Sequence, residues 1–340
     1  MDKGSVALLV QLGWHNIEQS EVIQSLWGGY GELVRVSNGE SSLIVKHIRL
    51  PEKNDHPRGW NTARSHNRKL RSYQVEANWY RDFAAACSSD CVVPKPIFVG
   101  EIEGELTLVM EDLKQLGFPN TLGNARPEHV DPVYIRPCLK WLAHFHAQHI
   151  SHHGGGLWES GTYWHLQTRP DELAKLHDLP LKQAAEQIDD LLNRAPYQTL
   201  VHGDAKLANF CFSDARIGES DQTSDDEQLK AAAVDFQYVG RGCAMKDVAL
   251  FISSAVPYEK CFERESDLLD IYFSYLNDAL AKHQPHLDSE LVIASWRPLF
   301  CVAWADFQRF VKGWSPEHWK INPYTESLKE RALEQIKKER

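Results

Sequence analysis

The stretch "VHGDAKLANF", Val201–Phe210, places a His, an Asp, a Lys and an Asn between an apolar lead-in (Leu200, Val201) and a second apolar pair (Phe210, Phe212). A connecting loop needs no such set. Asp204 and Asn209 stand five positions apart on it, and a second acid, Asp235, closes the apolar run of "AAAVDFQ". These are the parts of a phosphoryl-transfer site. One carboxylate orients the attacking hydroxyl and accepts its proton, while a carboxamide oxygen and another carboxylate hold magnesium against nucleotide phosphates. Taken alone, the same residues also serve turns and helix caps, so the surrounding order of elements decides between the readings.

Upstream lie three strand-like runs, at 21–27, 28–37 and 42–50, the last two joined by the hairpin turn "NGE" at 38–40. Lys46 ends the apolar run "SLIV", where an ammonium at a sheet edge can meet a phosphate. A helix follows over 67–87, free of Gly and Pro, with Tyr73, Glu76, Tyr80 and Phe83 at helical spacing and Trp79 on the same face. Glu76 can pair with Lys46 and fix its position. Gly28, Gly29 and Gly31 fall in the turn between two strands, where backbone amides can approach phosphates. Two more strands are expected near 96–99 and 106–110. The basic stretch 47–72 reads as a solvated face.

After Glu111 the character changes. Pro119, Pro127 and Pro132 punctuate a connector over 111–132. Helices are expected at 133–149, 171–194, 244–255, 264–283, 288–312 and 325–339, with strand-like pieces at 199–201, 210–213 and 231–235. The layout predicts an α+β chain: a β-rich unit over 1–110 and a larger, mainly helical unit over 111–340.

The bulk properties exclude several classes. The net charge is −10, against a nucleic-acid partner. Residues 1–110 carry 13 acidic and 12 basic side chains, so the acidity lies downstream. There the segment 214–230 holds six acids against two bases and reads as an exposed acidic insertion. No run approaches the ~18 apolar residues that span a bilayer. Seven cysteines without a paired CxxC spacing suit reduced thiols in a cytoplasmic protein. "HFHAQHISHH", 144–153, invites a metal reading, but only if the helix continues to bring His149, His152 and His153 together. Trp158 and Trp164 are candidates to line a substrate pocket.

Together these elements resemble the protein-kinase-like fold, in particular its aminoglycoside phosphotransferase and choline kinase branch, and within that the ecdysteroid-kinase-like proteins. "HGD" with Asn five residues beyond the Asp, followed by "VDFQ", is similar to that branch. "LVMEDL" (108–113) resembles the hinge between lobes, "WLAHFHA" (141–147) the long helix before the catalytic loop, and "KDVALF" (246–251) the helix whose Asp buttresses that loop. The glycine turn "GGYGE" departs from G-x-G-x-x-G. The resemblance implies a bilobal fold with ATP between a small β-rich lobe and a mainly helical one. Adenine would sit near Glu111 and Leu113, with Lys46, Glu76 and the glycines at the phosphates. Asp204 would be the general base, Asn209 and Asp235 the Mg2+ ligands, and His202 and Asp247 structural supports. Lys206, two residues past Asp204, would steady the phosphoryl group in flight. The activity implied is transfer of the γ-phosphate of ATP to a small-molecule alcohol: an amino alcohol such as choline or ethanolamine, an aminoglycoside, or a sterol-like alcohol. The alternative is a nucleotide-binding pseudokinase with a regulatory role.

Overall fold

The protein was analysed as a computed structural model, which describes residues 3–26, 29–49, 63–214 and 229–338. Helix α1 (Lys3–Gln11) precedes strands β1 (Gln19–Ser25), β2 (Gly31–Ser37) and β3 (Ser42–Ile48), helix α2 (Ala63–Asp82), and strands β4 (Pro96–Ile102) and β5 (Glu105–Glu111). Then come the short strand β6 (Asn120–Thr121) and helices α3 (Ile135–His149), α4 (Pro170–Lys175), α5 (Leu179–Gln183) and α6 (Ala185–Asn193). Four short strands follow: β7 (Thr199–Val201), β8 (Phe210–Phe212), β9 (Ala231–Ala233) and β10 (Gly240–Gly242). The chain ends in helices α7 (Met245–Ala255), α8 (Tyr258–His283), α9 (Ser289–Trp296), α10 (Phe300–Trp314) and α11 (Pro323–Lys338). The architecture is α+β, as expected. None of the described helices is long and apolar enough to cross a membrane.

The large sheet is antiparallel in the order β1-β2-β3-β5-β4. Its central strand, SLIVKHI, is buried throughout because both faces are covered. Side chains alternate across a strand. Leu43 and Val45 pack with Leu8 and Leu9 of α1 on the outer face, while Ile44 and Ile48 join the main core on the other. The same alternation puts Lys46 on the inner side, toward the rest of the molecule. The covering helix α1 was not anticipated from the sequence. The β2–β3 hairpin forms as anticipated. Asn38 Oδ1 accepts from the backbone N–H groups of Glu40 and Ser41 at 3.2 and 2.8 Å.

Helix α2 holds the sheet to the helical part through aromatic rings. Trp79 stacks on Phe236 at 4.5 Å and meets Phe145 of α3 at 5.6 Å. Two long helices expected from the sequence are broken, in both cases at prolines. The run 171–194 divides into α4, α5 and α6: the chain extends at Leu176, and Asp178 caps α5 with Pro180 in its first turn. The run 288–312 divides into α9 and α10 across a 3-10 turn containing Pro298. Strand β10, also unanticipated, pairs antiparallel with β7 and so flanks the 202–209 loop. The acidic stretch 215–228 lies outside the described residues, and the seven cysteines are free thiols.

Candidate active site

A cleft of about 1160 Å³ opens between the inner face of the sheet, α2, and the loops after β7 and β9. One buried carboxylate organises the loop after β7. Asp247, in the first turn of α7, accepts the backbone N–H of His202 at 2.6 Å on Oδ2 and that of Gly203 at 2.9 Å on Oδ1. His146 Nε2 lies 3.1 Å from Asp247 Oδ2, and its Nδ1 lies 2.8 Å from the Tyr272 hydroxyl. Buried amides rarely go unpaired, and here a helix end supplies their partner. His202 ties this loop to the next: its Nε2 donates to Val234 O at 2.9 Å, and its Nδ1 accepts from Asp204 N at 3.3 Å. Gly203 sits at φ +81°, and a Cβ there would fall 2.1 Å from Tyr238 O, so no other residue fits.

This scaffold presents Asp204 to the cleft with its two oxygens in different states. Oδ2 accepts from Lys206 Nζ at 2.8 Å and from Asn209 Nδ2 at 3.0 Å. Oδ1 is buried and has no hydrogen-bond partner among the described residues. Asn209 Nδ2 also donates to Asp204 O at 2.8 Å, which fixes the amide flip. The charge of Asp204 raises the Lys206 pKa against the opposing effect of burial.

Asp235 follows β9 in left-handed backbone at φ +68°. Its Oδ1 is 4.0 Å from Lys46 Nζ and likewise lacks a hydrogen-bond partner among the described residues. Burial would raise the Asp235 pKa, but Lys46, Lys69 and Lys206 together hold it below the usual carboxylate value. Lys46 reaches across to Glu76, its Nζ 2.7 and 2.6 Å from the two carboxylate oxygens. Burial pushes Glu76 up, and Lys46 offsets part of that rise. The pairing of β3 with α2 anticipated from spacing is therefore present.

The remaining expected residues divide. Glu111 and Leu113 line the cleft. Glu111 turns its carboxylate to the N–H of Lys95, at 2.9 Å. The carbonyl of Leu113 accepts from the N–H groups of Leu116 and Phe118. Gly28 lies outside the described residues. Gly29 and Gly31 are not part of the cleft wall, where Leu26 and Tyr30 stand instead. Gly31 answers to strand pairing: at φ +120°, a Cβ would lie 2.0 Å from His47 O across the hairpin. Trp158 and Trp164 are structural, their indole N–H groups donating to Gln237 O at 2.8 Å and Asp306 Oδ2 at 3.0 Å. His149 packs edge-on against Trp79 and Phe145, and His152 Nδ1 accepts from Gly154 N. Among the described residues the one cluster of three potential metal ligands is Asp90, His144 and His283, where Lys282 Nζ already holds Asp90 Oδ2 at 2.5 Å.

Several cleft residues escaped the sequence reading. Arg68 and Lys69, taken as part of a solvated basic face, line the cleft from α2. Lys69 Nζ donates to Gln237 Oε1 at 2.9 Å and sits 4.5 Å from the Tyr73 ring centre. Burial brings its pKa down to about 8, with Asp235 opposing the shift. Asp112 anchors the segment after β5, accepting from Arg35 and from Ser42, each at 2.6 Å. Tyr163, Arg169, Tyr238, Phe310 and Trp314 close the end of the cleft beyond Asp204. The helical spacing of Arg68, Lys69, Tyr73 and Glu76 was available as a signal. It was obscured because two adjacent basic residues look the same whether they face solvent or a cleft.

No curated protein sequence matches the chain significantly. Solved structures similar to it over nearly the full length include a microcompartment-associated aminopropanol kinase, at 12% identity, covering 98% of this chain and 96% of that one, with a TM-score of 0.49. Aminoglycoside 2'-phosphotransferase-IIIa with GDP is 11% identical, with 98% and 97% covered and a TM-score of 0.49. A choline/ethanolamine kinase family protein from Mesorhizobium loti is 12% identical, with 98% and 94% covered and a TM-score of 0.45. The model of the phosphotransferase enzyme family matches residues 22–286, a span that includes most of the sheet, α2 and both cleft loops, and the chain belongs to that family.

Proposed function

We propose that this phosphotransferase moves the γ-phosphoryl group of ATP to a hydroxyl of a small molecule, with Asp204 as general base. The observation that carries the reading is the asymmetry of Asp204. Lys206 and Asn209 occupy Oδ2, which leaves the buried, unpartnered Oδ1 to orient an acceptor O–H and take its proton. Lys206 sits beside the path of the transferred group and offsets charge that builds there in the transition state. Lys46, held by Glu76, faces the phosphates. Backbone at 111–113, in the cleft wall, offers the adenine its contacts.

The donor set fits a divalent cation. Asp235 Oδ1 is a buried, unpartnered carboxylate oxygen, and Asn209 has committed its amide nitrogen to Asp204 while its carboxamide oxygen stays available. These two residues would hold Mg2+, a hard cation that takes oxygen ligands. Once bound, Mg2+ neutralises phosphate charge. The presence of Lys46, Asp204, Asn209 and Asp235 together in one cleft supports an enzyme over a nucleotide-binding module without turnover. A screen of small alcohols for ADP release, run against the Asp204→Asn variant, tests the proposal. Acceptor-dependent ADP release by the wild type, lost in the variant, is expected. Equal release by both would remove Asp204 from the chemistry.

A further inference from the structure

Resting on that reading, we infer that the acceptor subsite selects an organic anion, an alcohol bearing a carboxylate or phosphate ester beside a flat apolar body, rather than a cationic amino alcohol. The net charge of the whole chain, −10, points the other way, so the local arrangement is what matters.

The acids lining the cleft are each engaged. Glu76 pairs with Lys46, Asp112 with Arg35, and Glu111 with a backbone amide. Asp204 is bound to Lys206, and Asp235 belongs to the proposed metal site. No acid faces Arg68 or Lys69 within ion-pair distance among the described residues. Arg68 donates only to neutral groups, Thr168 O at 3.0 Å and Ser65 Oγ at 3.4 Å, and Lys69 only to Gln237. From the opposite wall comes Arg169, whose acidic partner among the described residues, the buried Glu172, is 3.1 Å away. Asp171 is held by Arg64 at 2.7 Å. Burial and the neighbouring Arg169 both work against the charge on Arg68 and outweigh the support it draws from Glu172 and Asp171, an arrangement that an incoming anion relieves.

The two α2 cations differ in place. Lys69 faces Asp235, Lys46 and Glu76, on the phosphate side. Arg68 is tied to Thr168 beside Arg169 and lies near Tyr238, on the acceptor side. The floor there is aromatic: Tyr163 lies 5.6 Å from both Tyr238 and Phe310, and Trp314 stacks on Phe310 at 5.9 Å. An aromatic floor commonly receives a cationic ligand. Here the protein's own guanidinium takes that place, Arg169 standing 4.8 Å over the Phe310 ring. A ligand amine would meet like charge, whereas a carboxylate or phosphate would find free guanidinium and ammonium donors.

Three matched benzyl alcohols test the inference: 4-(hydroxymethyl)benzoate, 4-(hydroxymethyl)benzylamine and 4-methylbenzyl alcohol. Their binding to the full chain is measured by calorimetry, alone and with Mg-ADP. The benzoate is expected to bind about tenfold or more tightly than the amine, with the neutral alcohol between them. Arg68→Gln is expected to lower benzoate affinity about tenfold while leaving Mg-ADP affinity within about twofold, and Arg68→Lys to recover part of the loss. The inference is overturned if the amine binds as well as the benzoate, if the benzoate does not bind, or if Arg68→Gln leaves the preference intact. It is also overturned if Arg68→Gln weakens Mg-ADP in parallel, which would make Arg68 a nucleotide contact. Failure of the wild type to bind Mg-ADP would sink the phosphotransferase mechanism instead, and the charge preference is still read on the free chain.

Discussion

Asp204 and Lys206 are 2.8 Å apart yet carry different expected signatures. Asp204→Asn removes the proposed proton acceptor while keeping shape, so kcat should fall by ~10²–10⁴, the usual scale for a positioned base, with nucleotide affinity little changed. Lys206→Ala should lower kcat by about 10²–10³ with the KM for ATP nearly constant, because in the proposed role the ammonium acts on charge that exists only in the transition state. Steady-state kinetics separates the roles. A Lys206→Ala enzyme within twofold of wild type would make that lysine a surface residue. Gly203 offers a control on the scaffold: Gly203→Ala forces a Cβ against Tyr238 O at positive φ and should lose stability and activity together, measured by urea denaturation alongside turnover.

Between elements, the pair joining β3 to α2 matters most. Lys46 and Glu76 are both buried, and their side chains are 7% and 2% exposed. Removing one partner leaves an uncompensated buried charge, a loss on the order of 3–5 kcal/mol in such sites. Glu76→Ala should therefore lower the urea midpoint. Glu76→Gln, which keeps one hydrogen bond to Lys46, should cost less. If both variants unfold at the wild-type midpoint, Lys46 has found Asp235, 4.0 Å away, as a substitute partner. Helix α7 plays the corresponding part on the other side of the cleft, since Asp247 at its N-terminal turn fixes two consecutive loop amides.

The molecule as a whole should be sensitive to mild acid. His149 and His165 are buried, and burial brings both down to about 3, with neighbouring histidines adding to the effect at His149 and Lys246 at His165. In the unfolded chain an imidazole titrates near ~6.5. The unfolded state therefore binds protons that the folded state refuses. The stability these groups contribute is fully present above pH ~6.5 and is lost as pH falls toward the folded value, by about 1.4 kcal/mol per unit for each group. Urea midpoints measured from pH 7.5 to 5 should fall steadily below ~6.5, and His165→Gln should flatten the slope. A midpoint constant over that range would mean both imidazoles are protonated inside the fold.

The elements that positioned the site were largely legible in the residues. "VHGDAKLANF", "AVDFQ", Lys46 after an apolar run and Glu76 on a Gly-free helix carry their own local logic, since strand alternation and helical spacing are properties of neighbouring residues. Helix α1 and strand β10 were not legible, because each depends on a surface supplied by distant chain, the outer sheet face for α1 and β7 for β10, whereas the breaks at Leu176 and Pro298 were missed although Pro180 and Pro298 marked them locally. The same limit applied to charge. Arg68 and Lys69 were visible as two basic residues, but burial against Gln237 and Thr168, which only the packing of α2 on the helical part brings to them, turns them from a solvated face into the wall of a cleft. Local pattern sets which face of an element is apolar, and long-range packing sets what the other face meets.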